Sequence, residues 1–214
     1  PLASGLLPVC LGEATKFSAG TFGADKSYDA EILLGVTTTT GDTEGEVTAR
    51  QSVAVTREQV DLVLRRFTGS IEQTPPMYSA LKRDGKPLYA YARAGLTLAI
   101  PPRTIIIRGI TLRHFAADRV QISVRCSKGT YIRTLAEDVG RVLGCGATLA
   151  GLRRTAVGTF EVTSAVTLTR LEALPATQRL ACLLPVDCLL SSLPELLLAP
   201  DLVRRLVNGQ WGQI

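Results

Sequence analysis

The sequence predicts an α+β fold in which helices flank a largely antiparallel sheet. Apolar and polar side chains alternate along residues 26–36, which is the period of a strand with one buried face. Residues 103–115 and 119–126 show the same period and are joined by a short link, so we expect them to pair antiparallel. Helical segments do not alternate strictly with the strands, which argues against a parallel β-α-β fold.

The N-terminal region supplies a strand, a helix and a loop. Four apolar residues between glycines predict a short buried strand at residues 6–11. Residues 13–22 have the composition of a helix that carries Lys16 on its face. Residues 37–45 consist mainly of threonine, glycine and acidic residues and offer nothing to a core, so we expect a surface loop there.

The sequence predicts a helix over residues 57–67. Thr56 and Gln59 form a capping box at its start, and Gly69 stops it. Between them the apolar residues recur at helical spacing and define one buried face: Val60, Val63, Leu64 and Phe67.

A hairpin and a short helix are predicted next. The turn pair Asp84-Gly85 lies between two short strands, and residues 88–94 form a helix that ends at Gly95. Cations and aromatic residues interleave around this hairpin: Lys82, Arg83, Lys86, Tyr78, Tyr89 and Tyr91. Such a surface suits phosphates and stacked bases, although a solvated hairpin tip is the commoner explanation for the charges.

Residues 120–135 form a strand-turn-helix junction. The strand period ends at residue 126, a turn follows, and Thr130 is suited to cap a helix that Gly144 closes. The junction carries Lys128, Tyr131 and Arg133. Backbone N–H groups at a helix start beside cationic side chains suit a phosphate or a carboxylate. An ordinary strand-helix corner with solvated charges explains the same pattern equally well.

The C-terminal third contains weaker signals. A strand near residues 157–160 is entered through the pair Arg153-Arg154, and residues 165–184 contain two short helical stretches. The segment ending at Asp187 is typical of an exit linker, and residues beyond 190 indicate the start of another small module.

Composition limits the classes of function. The chain has 214 residues, 46% of them hydrophobic, and a net charge of +5, which fits a polyanionic partner without requiring one. Five cysteines without a C-x-x-C pair and a single histidine argue against a metal site and indicate thiols of a reducing compartment. No apolar run approaches the roughly 18 residues of a membrane span. We therefore expect a cytoplasmic protein with no membrane association.

Four separated segments match one family in the family's order. They are Pro1-Leu-Ala-Ser-Gly-Leu-Leu-Pro-Val-Cys-Leu-Gly12, Lys26-Ser-Tyr28, Pro75-Pro-Met-Tyr-Ser-Ala-Leu-Lys82 with Asp84-Gly-Lys-Pro-Leu-Tyr89, and Val124-Arg-Cys-Ser-Lys-Gly-Thr-Tyr-Ile-Arg133 with Leu152-Arg-Arg154. The chain resembles the bacterial TruB-type tRNA pseudouridine synthases, which convert the uridine at position 55 of the tRNA T-loop to pseudouridine. The resemblance implies the pseudouridine synthase fold, with its N-terminal part absent from this chain.

The resemblance also defines the expected domains. The family's first motif contains a nucleophilic aspartate immediately before the residue that corresponds to Pro1, so we expect the chain alone to be inactive. Residues 1–187 correspond to the catalytic domain. Residues 188–214 correspond to a linker and the opening of a PUA-type RNA-binding module.

The resemblance implies roles for individual residues. Tyr28 would stack against the flipped uracil and take part in the proton step, and Arg133 would pair with the catalytic aspartate. The remaining candidates would contact the substrate, either as pocket walls or through phosphates: Tyr131, Leu152, Lys16, Lys82, Lys128, Arg153 and Arg154. No cofactor or metal is implied, and we expect a monomer that binds the T-arm of tRNA.

Two other functions remain open at this point. The chain could belong to an RNA-binding protein that grips the T-arm without modifying it, or to a guide-dependent relative that works inside an RNA–protein complex. The compact hairpin between Tyr78 and Tyr89 favours the stand-alone enzyme. Asp138 lies about two helical turns beyond Tyr131, but the family pattern gives it no nucleophilic role.

Overall fold

A computed structural model of the chain describes residues 2–191 and 193–210. Pro1, which opens the first family motif, lies outside the described residues. So does the end of the predicted second module, residues 211–214.

One mixed seven-stranded sheet forms the centre of the molecule. Its strands are β1 (Ala3–Gly5), β2 (Lys26–Leu34), β5 (Gly69–Gln73), β8 (Arg103–Ala116), β9 (Arg119–Cys126), β10 (Ala147–Val157) and β11 (Phe160–Glu161). The order across the sheet is β1-β10-β2-β9-β8-β5, and β11 also pairs with β10. Among the strand pairs of this sheet that the structure describes, β1–β10 alone is parallel, so the predicted largely antiparallel α+β fold is confirmed.

Two small hairpins and seven α-helices complete the described fold. The hairpins pair β3 (Val36–Thr38) with β4 (Val47–Arg50) and β6 (Lys82–Arg83) with β7 (Lys86–Pro87). The helices are α1 (Ala19–Gly23), α2 (Arg57–Arg66), α3 (Leu88–Arg93), α4 (Ile132–Leu143), α5 (Leu168–Ala173), α6 (Ala176–Leu180) and α7 (Pro200–Val207). Short 3₁₀ helices occupy Gly12–Phe17, Val162–Ser164 and Val186–Leu190.

Helices α2 and α4 bury one face of the sheet. Val60 and Leu64 of α2 and Leu135 and Val139 of α4 pack with the inward side chains of β2, β9 and β10. The predicted capping box is present, because Gln59 N–H donates to the Thr56 hydroxyl and the Thr56 N–H donates to the Gln59 side chain. The predicted apolar face of this helix is confirmed at Val60, Val63 and Leu64, whereas Phe67 lies just beyond the helix end and is partly buried.

The predicted strand-turn-helix junction is present between β9 and α4. Gly144 closes α4 in the left-handed conformation, with φ of 80°. The predicted N-cap at Thr130 is wrong: Tyr131 occupies that position, and the Thr130 hydroxyl instead donates to the Ser127 carbonyl at 2.9 Å. The hydroxyl closes the turn before the helix, and the described start of α4 has no side-chain cap hydrogen bond.

The first 25 residues differ from the prediction. The strand is Ala3–Gly5, and the predicted buried strand at residues 6–11 is wrong because Leu7 and Val9 are 70% and 71% exposed. Leu6 alone of these apolar residues is buried, and its N–H donates to the Arg154 carbonyl where the chain leaves the sheet edge. The predicted helix at residues 13–22 consists of a 3₁₀ turn followed by the five-residue α1.

The hairpin and the C-terminal helices follow the prediction. Asp84 and Gly85 both have positive φ, 51° and 77°, as a two-residue hairpin turn requires. Helices α5 and α6 lie within the predicted segment, whereas the double arginine lies inside the long strand β10 rather than before a strand.

In the part of the chain that the structure describes, no helix has the length and apolar character to cross a membrane.

We predict that Gly140→Ala destabilises the protein although alanine favours helices. A Cβ at Gly140, in the middle of α4, would lie 2.3 Å from the Ala147 backbone nitrogen and 2.4 Å from the Ala147 Cβ. Overpacking of this kind costs about 1–3 kcal/mol. Urea denaturation of the full-length protein measures the loss. Arg141→Ala, whose side chain is mostly exposed on the same helix, is the control and should change the free energy of unfolding by less than about 0.5 kcal/mol.

Candidate functional site

Arg133 joins three segments of the chain at the first turn of α4. Its Nη1 atom donates to the Asp42 carboxylate and to the Thr40 carbonyl, each at 3.1 Å. Its Nη2 atom donates to the Tyr78 carbonyl at 2.6 Å. A guanidinium with these three acceptors is fixed in orientation, because its planar fork matches their directions.

Asp42 is the partner of Arg133, and the sequence did not identify it. The residue is 6% exposed, and its Oδ1 atom accepts from the Thr40 hydroxyl at 2.6 Å and from the Glu44 N–H at 3.2 Å. Its Oδ2 atom accepts from Arg133. Each oxygen of this buried carboxylate therefore has a donor, which satisfies the requirement for a buried charge.

The prediction that residues 37–45 lie on the surface is wrong at Gly41 and Asp42, which are buried. Backbone hydrogen bonds join this loop to β10: Leu149 N–H donates to Gly41 O and Thr43 N–H donates to Leu149 O, each at 3.0 Å. Gly41 has φ of 76°, a conformation that side-chain-bearing residues rarely adopt, and a Cβ there would force the Glu137 carboxylate to move. One signal could have revealed the pairing: Arg133 is flanked by apolar core positions of α4 and so needed a buried counter-charge.

Tyr28 lies half-buried on β2, between β9 and β10. Its register partners are Val124 and Arg154. Burial raises the pKa of the Tyr28 hydroxyl, the Cys126 thiol adds to this rise, and the charge and hydrogen bond of Arg154 oppose it. The hydroxyl is therefore protonated at neutral pH, and it lies near the positive charge of Arg154.

The adjacent arginines of β10 have different surroundings. Arg154 is partly buried, and its Nε atom donates to the Leu6 carbonyl at 2.7 Å, in the segment that leaves β1. Arg153 is exposed. Leu152 is partly buried and in register with Ala3 of β1. The structure thus brings Leu152 and Arg154 to the Tyr28 region and leaves Arg153 facing solvent.

The three candidate lysines are exposed and belong to three different segments. Lys16 lies in the first 3₁₀ helix and pairs with Glu13, Lys82 lies in the hairpin, and Lys128 lies in the turn before α4. Within residues 2–191 and 193–210, no hydrogen bond connects any of them to Tyr28 or Arg133. Asp138, the internal carboxylate considered above, accepts from Arg141 at 2.6 Å and does not contact Arg133 through a hydrogen bond in this described region.

The cysteines are free thiols. Cys126 and Cys145 are buried, whereas Cys10, Cys182 and Cys188 are partly exposed. Burial raises the pKa of Cys126 to about 11, so this thiol stays protonated near neutral pH. Across the described ranges, no group of three His, Cys, Asp or Glu side chains has a geometry that could hold a metal ion.

Two family models match nearly the whole chain. Residues 1–132 match the TruB family pseudouridylate synthase N-terminal domain, and residues 133–191 match the tRNA pseudouridylate synthase B C-terminal domain. The first match contains Tyr28 and Asp42, and the boundary between the two models falls immediately before Arg133.

Curated relatives agree with the family models. The chain is 53% identical over 210 residues to the tRNA pseudouridine synthase B of Azoarcus sp. strain BH72, covering 98% of this chain and 70% of the relative. It is 54% identical over 214 residues to the protein of the same name from Ralstonia nicotianae, covering 98% of this chain and 68% of the relative.

Solved structures show the same fold. The Cbf5-Nop10-Gar1 complex contains a chain that matches with a TM-score of 0.66 and 26% identity, covering 87% of this chain and 49% of that one. The archaeal box H/ACA sRNP Nop10-Cbf5 complex matches with a TM-score of 0.55 and 27% identity, covering 78% and 39%. This chain therefore spans less than half the length of either structural relative.

The fold and the family matches define the pseudouridine synthase class. Within that class, the family models and the curated relatives cover almost every residue. The chain belongs to the TruB family of tRNA pseudouridine synthases.

We predict that Glu137→Gln stabilises the full-length protein at pH 7. Burial raises the pKa of Glu137, and the Asp138 carboxylate adds to this rise against the charges of Arg141 and Arg133. The folded state therefore binds this proton more tightly than the unfolded chain. The resulting stability is present below the ordinary glutamate pKa and is lost as the pH rises through the folded pKa.

Urea denaturation between pH 4 and pH 7 tests this. The variant should gain over the wild-type protein towards pH 7, and the gain should disappear below about pH 4. Glu58→Gln is the control, because hydrogen bonds from its own backbone and from Thr56 lower the pKa of Glu58 and predict no gain. An equal gain at every pH would contradict the titration argument.

Proposed function

We propose that the protein containing this chain isomerises the uridine at position 55 in the T-loop of tRNA to pseudouridine. The observation that carries the proposal is the ion pair between the partly exposed Arg133 guanidinium and the buried Asp42 carboxylate, which lies beside Leu149 near the start of β10. The 53–55% identity to proteins named tRNA pseudouridine synthase B supports tRNA as the substrate.

The sheet register supports a nucleophile immediately before Pro1. Ala3 is in parallel register with Leu152 of β10, and following that register backwards leads towards Leu149. Asp42 forms an isolated bridge with Leu149. The described start of β1 therefore runs towards the level of the Arg133–Asp42 pair, and the resemblance assigns an aspartate to the position before Pro1.

The chemistry follows from these groups. The aspartate attacks the nucleoside and the C1′–N1 bond breaks. A C1′–C5 bond then forms and the aspartate is released, while C5 loses a proton and N1 gains one. Arg133 keeps the aspartate ionised and oriented through a charge-assisted hydrogen bond, and Asp42 holds Arg133 in place. Tyr28, Tyr131 and Leu152 enclose the flipped uracil, with Tyr28 stacked on its face.

The remaining expectations complete the proposal. Lys16, Lys82, Lys128, Arg153 and Arg154 contact tRNA phosphates. Residues 188–214 begin a PUA-type module after a catalytic domain that ends near residue 187, and the protein acts as a cytoplasmic monomer. Without the preceding aspartate, this chain alone binds but does not convert tRNA.

The rival function is tRNA binding without modification. Both functions use the same basic surface, so tRNA affinity does not separate them. A fixed Arg133 inside a site favours the enzyme, because a surface that only binds phosphates gains nothing from an arginine whose donors point to Asp42, Thr40 and Tyr78.

We predict that Arg133→Ala, Arg133→Lys and Asp42→Asn each lower turnover by at least about 100-fold, since a misplaced catalytic group has an effect of this size. The assay is tritium release from tRNA carrying 5-tritiated uridine, with the chain extended by the residues before Pro1. Lysine keeps the charge but loses the planar fork. Arg141→Ala, an exposed arginine on α4, should retain wild-type rates. An extended protein that binds tRNA and releases no tritium would leave the binding function as correct.

We also predict that Lys82→Ala and Lys128→Ala weaken tRNA binding mainly at low salt. Each lost phosphate contact should reduce the slope of log affinity against log salt by roughly 0.7–1. Filter binding at several salt concentrations measures the slope. Arg65→Ala, which removes an exposed cation on α2 paired with Asp61, is the control, and an unchanged slope in both lysine variants would exclude them from the interface.

A further inference from the structure

Gln73 is a buried polar side chain that neither the sequence motifs nor the proposed chemistry uses. It is the last residue of β5 and is 2% exposed. A buried amide needs partners for both its donor and its acceptor. Its partners show what the residue does.

Both ends of the Gln73 amide bond to the backbone of one residue. The Tyr131 N–H donates to Gln73 Oε1 at 2.8 Å, and Gln73 Nε2 donates to the Tyr131 carbonyl at 3.1 Å. Tyr131 has φ of −102° and ψ of 110°, an extended conformation. The side chain therefore pairs with Tyr131 as a neighbouring strand would, and fixes both the position and the direction of the residue that precedes α4.

The same segment contacts α4 a second time. Five residues after Gln73, the Tyr78 carbonyl accepts from Arg133 Nη2 at 2.6 Å. Residues 73–78 thus contact the start of α4 at Tyr131 and at Arg133. Gln73 is anchored in turn through β5, which pairs with β8 from Gly69 to Gln73. The position of the start of α4 is consequently fixed relative to β5, at the edge of the central sheet.

We propose that Gln73 is a positioning residue for the isomerisation, which sets the location of Tyr131 and Arg133 by clamping the backbone between the β9 turn and α4. This inference rests on the proposed function. Gln73 touches neither RNA nor the reacting atoms, since it is buried and both functional atoms of its amide are bonded within the protein. Its effect on the rate passes through the two residues that it places.

Gln73→Glu provides a specific test because the clamp needs one donor and one acceptor. A protonated carboxyl at position 73 donates to the Tyr131 carbonyl and accepts from the Tyr131 N–H, as the amide does. An ionised carboxylate has only acceptors and faces that carbonyl unfavourably. Burial raises the pKa of such a carboxyl, so the change between the two states falls within the working pH range.

The experiment is single-turnover pseudouridine formation by the extended protein between pH 6 and pH 8.5. We expect Gln73→Glu to be at least about tenfold slower than the wild-type protein at pH 8.5, and the ratio of the two rates to recover as the pH falls. Gln73→Met, which has a similar volume and no hydrogen bonds, should be slow at every pH. Affinity for tRNA should change by less than about threefold in both variants. Gln59→Glu, an exposed substitution that preserves the capping box of α2, is the control with a pH-independent ratio.

A second measurement separates this inference from the proposed function. Hydrogen exchange of the Tyr131 amide reports the clamp without any turnover. Its protection factor, which removes the intrinsic rise of exchange with pH, should be high in the wild-type protein and low in Gln73→Met. In Gln73→Glu it should fall as the pH rises, because the ionised carboxylate repels the Tyr131 carbonyl and opens the clamp. Protected amides of β9 in the same sample report whether each variant is folded. The inference is overturned if the ratio of Gln73→Glu to wild-type rates does not change with pH, or if Gln73→Met turns over at the wild-type rate. In either case an active wild-type protein still upholds the proposed function. An inactive wild-type protein in which the exchange pattern is present overturns the proposed function, and with it the catalytic part of the inference.

Discussion

The site depends on one largely covered guanidinium, that of Arg133, and on the acceptors that hold it in place. Removing a charge from water is unfavourable unless a counter-charge and hydrogen bonds replace the lost hydration. For Arg133, the Asp42 carboxylate and two backbone carbonyls do this. The acceptors belong to the loop at residues 37–45 and to the segment before the β6–β7 hairpin, and Arg133 itself belongs to α4. The arrangement therefore exists only when three distant parts of the chain have assembled.

This requirement explains much of the surrounding architecture. The loop that carries Asp42 has to enter the core, and its backbone bonds to Leu149 allow it to do so without leaving polar groups unsatisfied. Gly41 gives the loop a left-handed backbone conformation that residues with a Cβ adopt only with strain. The polar side chain of Asp42 therefore reflects buried hydrogen bonding rather than exposure to solvent.

The sequence predicted those parts of the fold that local physics determines. The strand period of β2, β8 and β9, the capping box of α2 and the Asp84-Gly85 turn all rest on neighbouring residues, and all are present. The family resemblance supplied Tyr28 and Arg133 as candidates. Asp42 and Gln73 escaped, because their roles come from contacts with residues about 60–90 positions away that no local pattern encodes. The prediction for residues 6–11 was wrong because it relied on local composition alone. Their apolar residues indicated a strand, but the strand at this edge of the sheet ends at Gly5.

The parallel pairing of β1 with β10 also has a consequence for how the protein is made. The Ser4 hydroxyl donates to the Leu152 carbonyl, and Arg154 donates to the Leu6 carbonyl, each across 148 residues of chain. Closing so large a loop is slow compared with forming a hairpin such as β8–β9. The segment that leads into the site is synthesised early, yet it has no partner until β10 leaves the ribosome. Enzyme activity therefore appears only after most of the domain has been translated, and a chain interrupted before β10 yields sheet fragments without a site.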